Sequence, residues 1–143
     1  MRKFEERSIK NLSGVHPDLA KVMNAAIKDA PVGFIIIYGV RTTEEQQRLY
    51  AQGRTAPGAR VTNCDGIKVK SNHQVKSDGY GYAVDLYADS NNNGKLDEPE
   101  INDVESLKKV AAHVKETAKR LGIKIEWGGD WTIRDYPHFE LKK

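Results

Sequence analysis

The chain has 143 residues, enough for one compact domain with a real core and too few for two ordinary ones, so residues 1–143 read as a single domain. Hydrophobic residues make up 38% and charged residues 30%; no apolar run reaches the roughly 18 residues of a membrane helix, and "MRKFEERSIK" lacks the apolar stretch of a secretory leader, so neither membrane insertion nor a Sec-type address is expected. The lone Cys64 excludes an internal disulfide, and a net charge of +3 without a Lys/Arg stripe interleaved with aromatics argues against a nucleic-acid partner.

The first clear periodicity is "PDLAKVMNAAIKDA", residues 17–30, where Leu19, Val22, Met23, Ala26 and Ile27 fall at helical spacing and Pro31 ends the helix. "GFIIIYGV" (33–40) is a β-branched apolar run between glycines, which predicts a buried strand. Thr42 and Glu45 then form a capping box, opening a helix that Gly53 stops. Residues 54–70 carry Gly, Pro and Asn without a period and read as loop.

"YAVDLYA" (82–88) reads as a strand. Leu107, Val110, Val114, Ala118 and Leu121 mark one face of a long helix over 102–121, stopped by Gly122. "IKIEW" (123–127) and "HFEL" (138–141) give two more strands. Helices and strands mix without βαβ alternation, so an α+β fold is expected, with a small, mostly antiparallel sheet and flanking helices.

Two spacings carry chemistry. The chain has four histidines, and a hydrolytic zinc site needs three protein ligands and one open position. His73, Asp85 and His138 make such a set, two of them near in sequence and one distant. Taken singly, His73 and His138 also read as surface or hydrogen-bonded core residues; His16, before Pro17, and His113, mid-helix, have no role in the set. The second spacing is "DSNNNGKLDEPE" (89–100), which fits the calcium loop D-x-[DN]-x-[DN]-G-x5-E. Asp89, Asn91 and Asn93 would offer side-chain oxygens, Lys95 its carbonyl, Asp97 a direct or water-bridged contact and Glu100 a bidentate carboxylate, with Gly94 at the sharp turn. The bland alternative is an Asn/Gly-rich solvent loop. The element before it reads as a strand, so a paired EF-hand protein is not expected.

Several stretches together resemble the M15 zinc peptidases, the D-Ala-D-Ala carboxypeptidase and phage endolysin family. "SNH…GYAVD" resembles its S-x-H…G-x-A-x-D signature, and "DYPHFEL" its acid three residues before the last zinc histidine. "GVRTTEEQQRLYAQGR" is similar to its R-S/T-x-x-x-Q…LY-x-x-G segment, "WGGDW" precedes the final ligand as in the endolysin-like subgroup, and "SIKNLSGVHPDL" looks like its opening. The matches run in order over nearly the whole chain. One departure is the connection from His73 to Gly81, where seven residues (74–80) replace the two of the compact form. If they displaced His73, Asp78 or Cys64 would be its substitute; if they bulge out, the ligand set survives.

Carried over position by position, the resemblance implies a D,D-peptidase/Hedgehog-like fold with zinc on His73, Asp85 and His138. Asp135 would be the general base, Arg41 would serve both catalysis and substrate binding, and Ser71 would line the substrate site. Gln46 and Trp127 complete the substrate-binding set, although Gln46 also reads as solvent-facing, and Trp127 and Trp131 as core or pocket wall. The implied protein is a monomeric zinc endolysin that cuts peptidoglycan stem peptides between L-Ala and D-Glu; the loop 89–100, which starts four residues after Asp85, adds the separate expectation that calcium activates it. It would be made in the host cytoplasm and act at the cell wall after release. A D,D- or L,D-carboxypeptidase on the same scaffold and a silent calcium-dependent wall-binding module are the rivals.

Overall fold

The computed structural model describes residues 2–95 and 103–142. In chain order these form α1 (Glu6–Leu12), α2 (Pro17–Lys28), β1 (Gly33–Tyr38), α3 (Thr43–Ala51), β2 (Ala83–Asp89), α4 (Val104–Leu121), β3 (Ile125–Trp127), a 3-10 turn (Gly128–Asp130) and β4 (His138–Leu141). The strands make one sheet in the order β1-β2-β4-β3, every neighbouring pair antiparallel. No described helix is long and apolar enough to cross a membrane.

The core forms where the apolar stripes of α2 and α4 meet one face of this sheet. Leu19, Val22 and Met23 of α2 and Val110 and Val114 of α4 are fully buried, together with Val84, Leu86 and Phe139 from the central strands. Burial of each such side chain stabilises by about 1.5–3 kcal/mol. The caps act as the local sequence dictates. Thr42 and Glu45 close the reciprocal box on α3, and Gly122 ends α4 in the left-handed region at φ 70°.

One element was not legible as a helix of its own. α1 buries only Ser8 and Leu12, too few positions to show a period, and its role is to cover the open edge of β1. Ser8 Oγ accepts from the Ile36 N–H at 2.9 Å, and Asn11 Nδ2 donates to the Ile36 and Ile37 carbonyls at 2.8 and 2.9 Å. Edge groups that would otherwise face solvent or another strand are thereby satisfied. β1 is consequently buried at five successive positions rather than alternately.

Candidate metal centre

The sheet places two of the predicted ligands side by side. β2 and β4 pair with Asp85 opposite His138, and strand alternation sends Val84, Leu86, Phe139 and Leu141 to the core. Asp85, Tyr87, His138 and Glu140 therefore share the other face, where they line a cleft of about 540 Å³.

His73 comes from the loop before β2. Its carbonyl accepts from Arg41 N at 2.8 Å, and its Nδ1 donates to the Gly39 carbonyl at 2.9 Å. That bond selects the tautomer whose bare Nε2 lies 3.4 Å from Asp85 Oδ1. His138 is set the opposite way round: its Nε2 donates to Glu140 Oε1 at 2.7 Å, and its Nδ1 lies 3.5 Å from the same Asp85 oxygen. One ligand atom from each of His73, Asp85 and His138 falls within 4.8 Å of the others.

Asp85 Oδ1 is buried and accepts no hydrogen bond, although a ring nitrogen of His73 and one of His138 stand 3.4 and 3.5 Å away. An unsatisfied buried acceptor costs about 1–3 kcal/mol, more when charged. Burial pushes the Asp85 carboxyl up, but His138 and His73 outweigh it and hold the group well below the usual carboxylate range. Burial likewise lowers His138, yet Asp85 and Glu140 outweigh it and push the imidazole up to about 9. A cation entering here competes with that proton. Two nitrogens and one oxygen converging on a point, open to a cleft on one side, are a donor set that could hold a metal ion, and their chemistry suits zinc.

The rim is assembled from three connections. Arg41 follows β1; its Nη1 donates to Gln46 Oε1 at 2.8 Å and its Nη2 stands 4.0 Å from Asp85 Oδ2. Asp135 lies on the turn before β4, where its N–H donates to the Gly128 carbonyl at 2.9 Å and its carbonyl accepts from His138 N at 3.1 Å. Its carboxylate is half exposed and 4.0 Å from His138 Nδ1. Partial burial and the charge of Asp85 push that carboxyl up from its ordinary value, against the pull of His138, His73 and Arg41. Ser71 lines the cleft and its Oγ accepts from His73 N at 3.2 Å, so it also holds the ligand turn.

Two members of the predicted substrate-binding set stand away from the cleft. Gln46 is fully buried behind the wall, with its amide spent on Arg41, on Thr62 Oγ1 at 3.1 Å and on the Cys64 carbonyl at 2.7 Å. Trp127 stacks on Phe139 in the core and donates Nε1–H to the Tyr136 carbonyl at 2.7 Å. Trp131 walls the cleft instead, its ring 5.0 Å from that of His138. The other histidines serve structure. His16 caps α2 by accepting from Asp18 N, and His113 Nε2 lies 2.8 Å from the Ala26 carbonyl and 2.9 Å from Asp29.

The added residues 74–80 leave the ligand set in place. They turn back on themselves through Lys76 N to Tyr80 O and Gly79 N to Lys76 O, both 2.9 Å. Asp78 accepts from Tyr80 N and from the Tyr82 hydroxyl, so it serves this turn and not the metal centre. In the second predicted site, Asp89 ends β2 and accepts from Asn93 N at 3.3 Å and Gly94 N at 3.0 Å. Gly94 turns at φ 72°, where an L side chain is strained. Asn91 and Lys95 lie on the same turn, whereas Asp97 and Glu100 fall outside the described residues. Sequence reading assigned no site role to Asn72, and to Glu140 only that of a substitute for Asp135 as the base, with no part in the metal centre. The signal for Glu140 was the alternation in "HFEL", which puts it on the face of His138.

Comparison with known proteins defines the class. A family model described as phage L-alanyl-D-glutamate peptidase matches residues 1–143, and the chain belongs to this family. The peptidoglycan L-alanyl-D-glutamate endopeptidase CwlK of Bacillus subtilis is 36% identical over 140 residues, covering 90% of this chain and 74% of that protein. The L-alanyl-D-glutamate peptidase of Escherichia phage T5 is 31% identical over 141 residues, covering 99% and 90%. Among solved structures, the L-Ala D-Glu endopeptidase ChiX of Serratia marcescens superposes with a TM-score of 0.71 at 30% identity, over 97% of this chain and 89% of that one.

Proposed function

We propose that this chain is a zinc-dependent endopeptidase that hydrolyses the L-Ala–D-Glu bond of peptidoglycan stem peptides, acting as an endolysin at the cell wall after release from the host cytoplasm. The buried, unsatisfied Asp85 Oδ1 between two histidine nitrogens, open to the cleft, carries this reading. His73, Asp85 and His138 would hold the zinc, which when bound lowers the pKa of water toward ~7 and polarises the scissile carbonyl. Asp135, at the rim beside His138, takes the proton of the attacking water and returns it to the leaving amine. Its raised pKa makes it a better base than an ordinary aspartate. Arg41, already held by Gln46, directs its remaining N–H donors at the carbonyl oxygen as charge develops there. Ser71 and Trp131 shape the bed for the stem peptide.

Wall digestion followed by mass spectrometry tests the bond: a new N-terminal D-Glu is expected, and release of free D-Ala would point instead to a carboxypeptidase. Metal analysis tests the site, with about one zinc per chain in wild type and loss of both zinc and lysis in His138→Ala.

A second metal reading, calcium on Asp89, Asn91, Asn93, Lys95, Asp97 and Glu100, is supported by the folding of the turn around Asp89. The carboxylate at the first position of the motif already accepts from the N–H of Gly94 at the sixth. The mixture of acids and Asn places affinity roughly between 10⁻⁶ and 10⁻³ M. The loop leaves the end of β2 four residues after Asp85, so ordering it would steady the strand that presents a zinc ligand. Lytic activity titrated with free calcium at constant zinc should rise in wild type and shift in Glu100→Gln; identical curves would make the loop a plain connection.

A further inference from the structure

Around the three candidate ligands lies a chain of polar groups that joins the two histidine-bearing segments. Asn72, next to His73, donates Nδ2–H to Glu140 Oε2 at 2.9 Å, and Glu140 Oε1 accepts from His138 Nε2 at 2.7 Å. The Asn72 carbonyl in turn accepts from Tyr82 N at 2.7 Å, fixing the turn to the start of β2. Both Glu140 oxygens are committed and its side chain is 15% exposed. Burying a carboxylate is costly unless its oxygens find partners, and both of these have one.

We propose that the Asn72–Glu140 pair is a positioning device for the metal centre, setting how tightly the ion is held without touching the reacting atoms. The pair fixes the His138 ring with Nδ1 toward Asp85, makes that nitrogen more electron-rich, and ties the loop ligand to the strand ligand across 68 residues of sequence. His73 needs no such partner, because the Gly39 carbonyl already orients it. Of the two histidines, His138 is the one oriented by a charged side chain, so its hold on the metal can be tuned by substituting that side chain. Partners of this kind typically contribute 10- to 100-fold in metal affinity.

This inference rests on the proposed zinc site, and the test separates the two. Zinc affinity of wild type, Glu140→Gln, Glu140→Ala and Asn72→Ala is measured with a competing chelator, and kcat and KM are then taken at saturating zinc. Wild type that binds no zinc would remove the site itself. If wild type binds, Glu140→Ala should bind 10- to 100-fold more weakly, Asn72→Ala should lie between, and Glu140→Gln, which keeps an acceptor for Nε2–H, should recover part of the loss. At saturating zinc, kcat should return to within a few-fold of wild type. Unchanged zinc affinity in Glu140→Ala overturns the proposal, as does lost kcat at full zinc occupancy, which would place Glu140 in the chemistry. Far-UV circular dichroism of the zinc-free variants shows whether they fold; should Glu140→Ala fail to, Asn72→Ala and Glu140→Gln carry the same comparison.

Discussion

Gly39 offers a perturbation whose size can be worked out from contacts. An added Cβ would stand 1.8 Å from the Asn11 carbonyl oxygen and 3.2 Å from Val15 Cγ2. Real Cβ atoms essentially never come within 3.0 Å of such a neighbour, so in Gly39→Ala the end of β1 and the end of α1 must part by about 1 Å. Overpacking of this kind costs about 1–3 kcal/mol, and at roughly 3–4 °C per kcal/mol for a chain of this size the melting temperature should fall by about 3–12 °C. The same movement carries the Gly39 carbonyl, which sits 2.9 Å from His73 Nδ1. Stretching that bond frees the ring, and zinc should be held about 10- to 100-fold less tightly. Melting curves in a chelator isolate the packing loss, and zinc competition on the folded variant isolates the ligand effect. A variant that melts with wild type and binds zinc as well would refute the reasoning from this close approach.

Three further outcomes are expected. Asp135→Asn should retain zinc and fold but lose about 10²- to 10⁴-fold in kcat, because an amide cannot take the water proton; near wild-type wall lysis would assign the base elsewhere. Arg41→Lys keeps the charge but not the fork that Gln46 holds, so kcat/KM should fall although zinc content stays constant; full activity would leave Arg41 a structural role. The Asp65 carboxylate accepts from the Val69, Ile67 and Lys68 N–H groups, which lower its pKa from the ordinary 3.8, so its contribution to the turn is complete above that value and is lost as pH falls through the depressed one. Amide exchange at Ile67–Val69 should therefore be protected at pH 5 relative to Asp65→Asn, and equal protection in the two would show that the charge of the carboxylate contributes nothing.

How much of this was legible depended on whether a residue's neighbours lay within its own element. The apolar stripes of α2 and α4 and the run of β1 announce themselves, because burial on one face repeats along a few turns or residues. His73, Asp85 and His138 could be grouped by residue type, but only the Asp85–His138 register brings the latter two together. The roles of Gln46 and Trp127 were not recoverable in the same way. Gln46 is a polar residue on the buried face of α3, and its three partners come from Arg41 and the loop at Thr62 and Cys64. Trp127 and Trp131 are four residues apart with similar surroundings in sequence; β3 pairing, which sets Trp127 opposite Phe139, and the intervening 3-10 turn decide which one faces the core.

The turn at 74–80 joins two candidate metal ligands, yet its length is mechanically irrelevant to them. Before the chain departs, His73 is anchored to Arg41 and Gly39; where it returns, Gly81 is bonded to Gly14 and His16, and Tyr82 to Asn72. Beyond these clamps the excursion ends at Gly79, which has nothing within 4 Å of the place a side chain would occupy. An exposed tip of this kind is where added sequence is best tolerated. The scaffold thus has a port at this turn, at which a peptide or a second binding module could be spliced in while the distances between His73, Asp85 and His138 stay as they are.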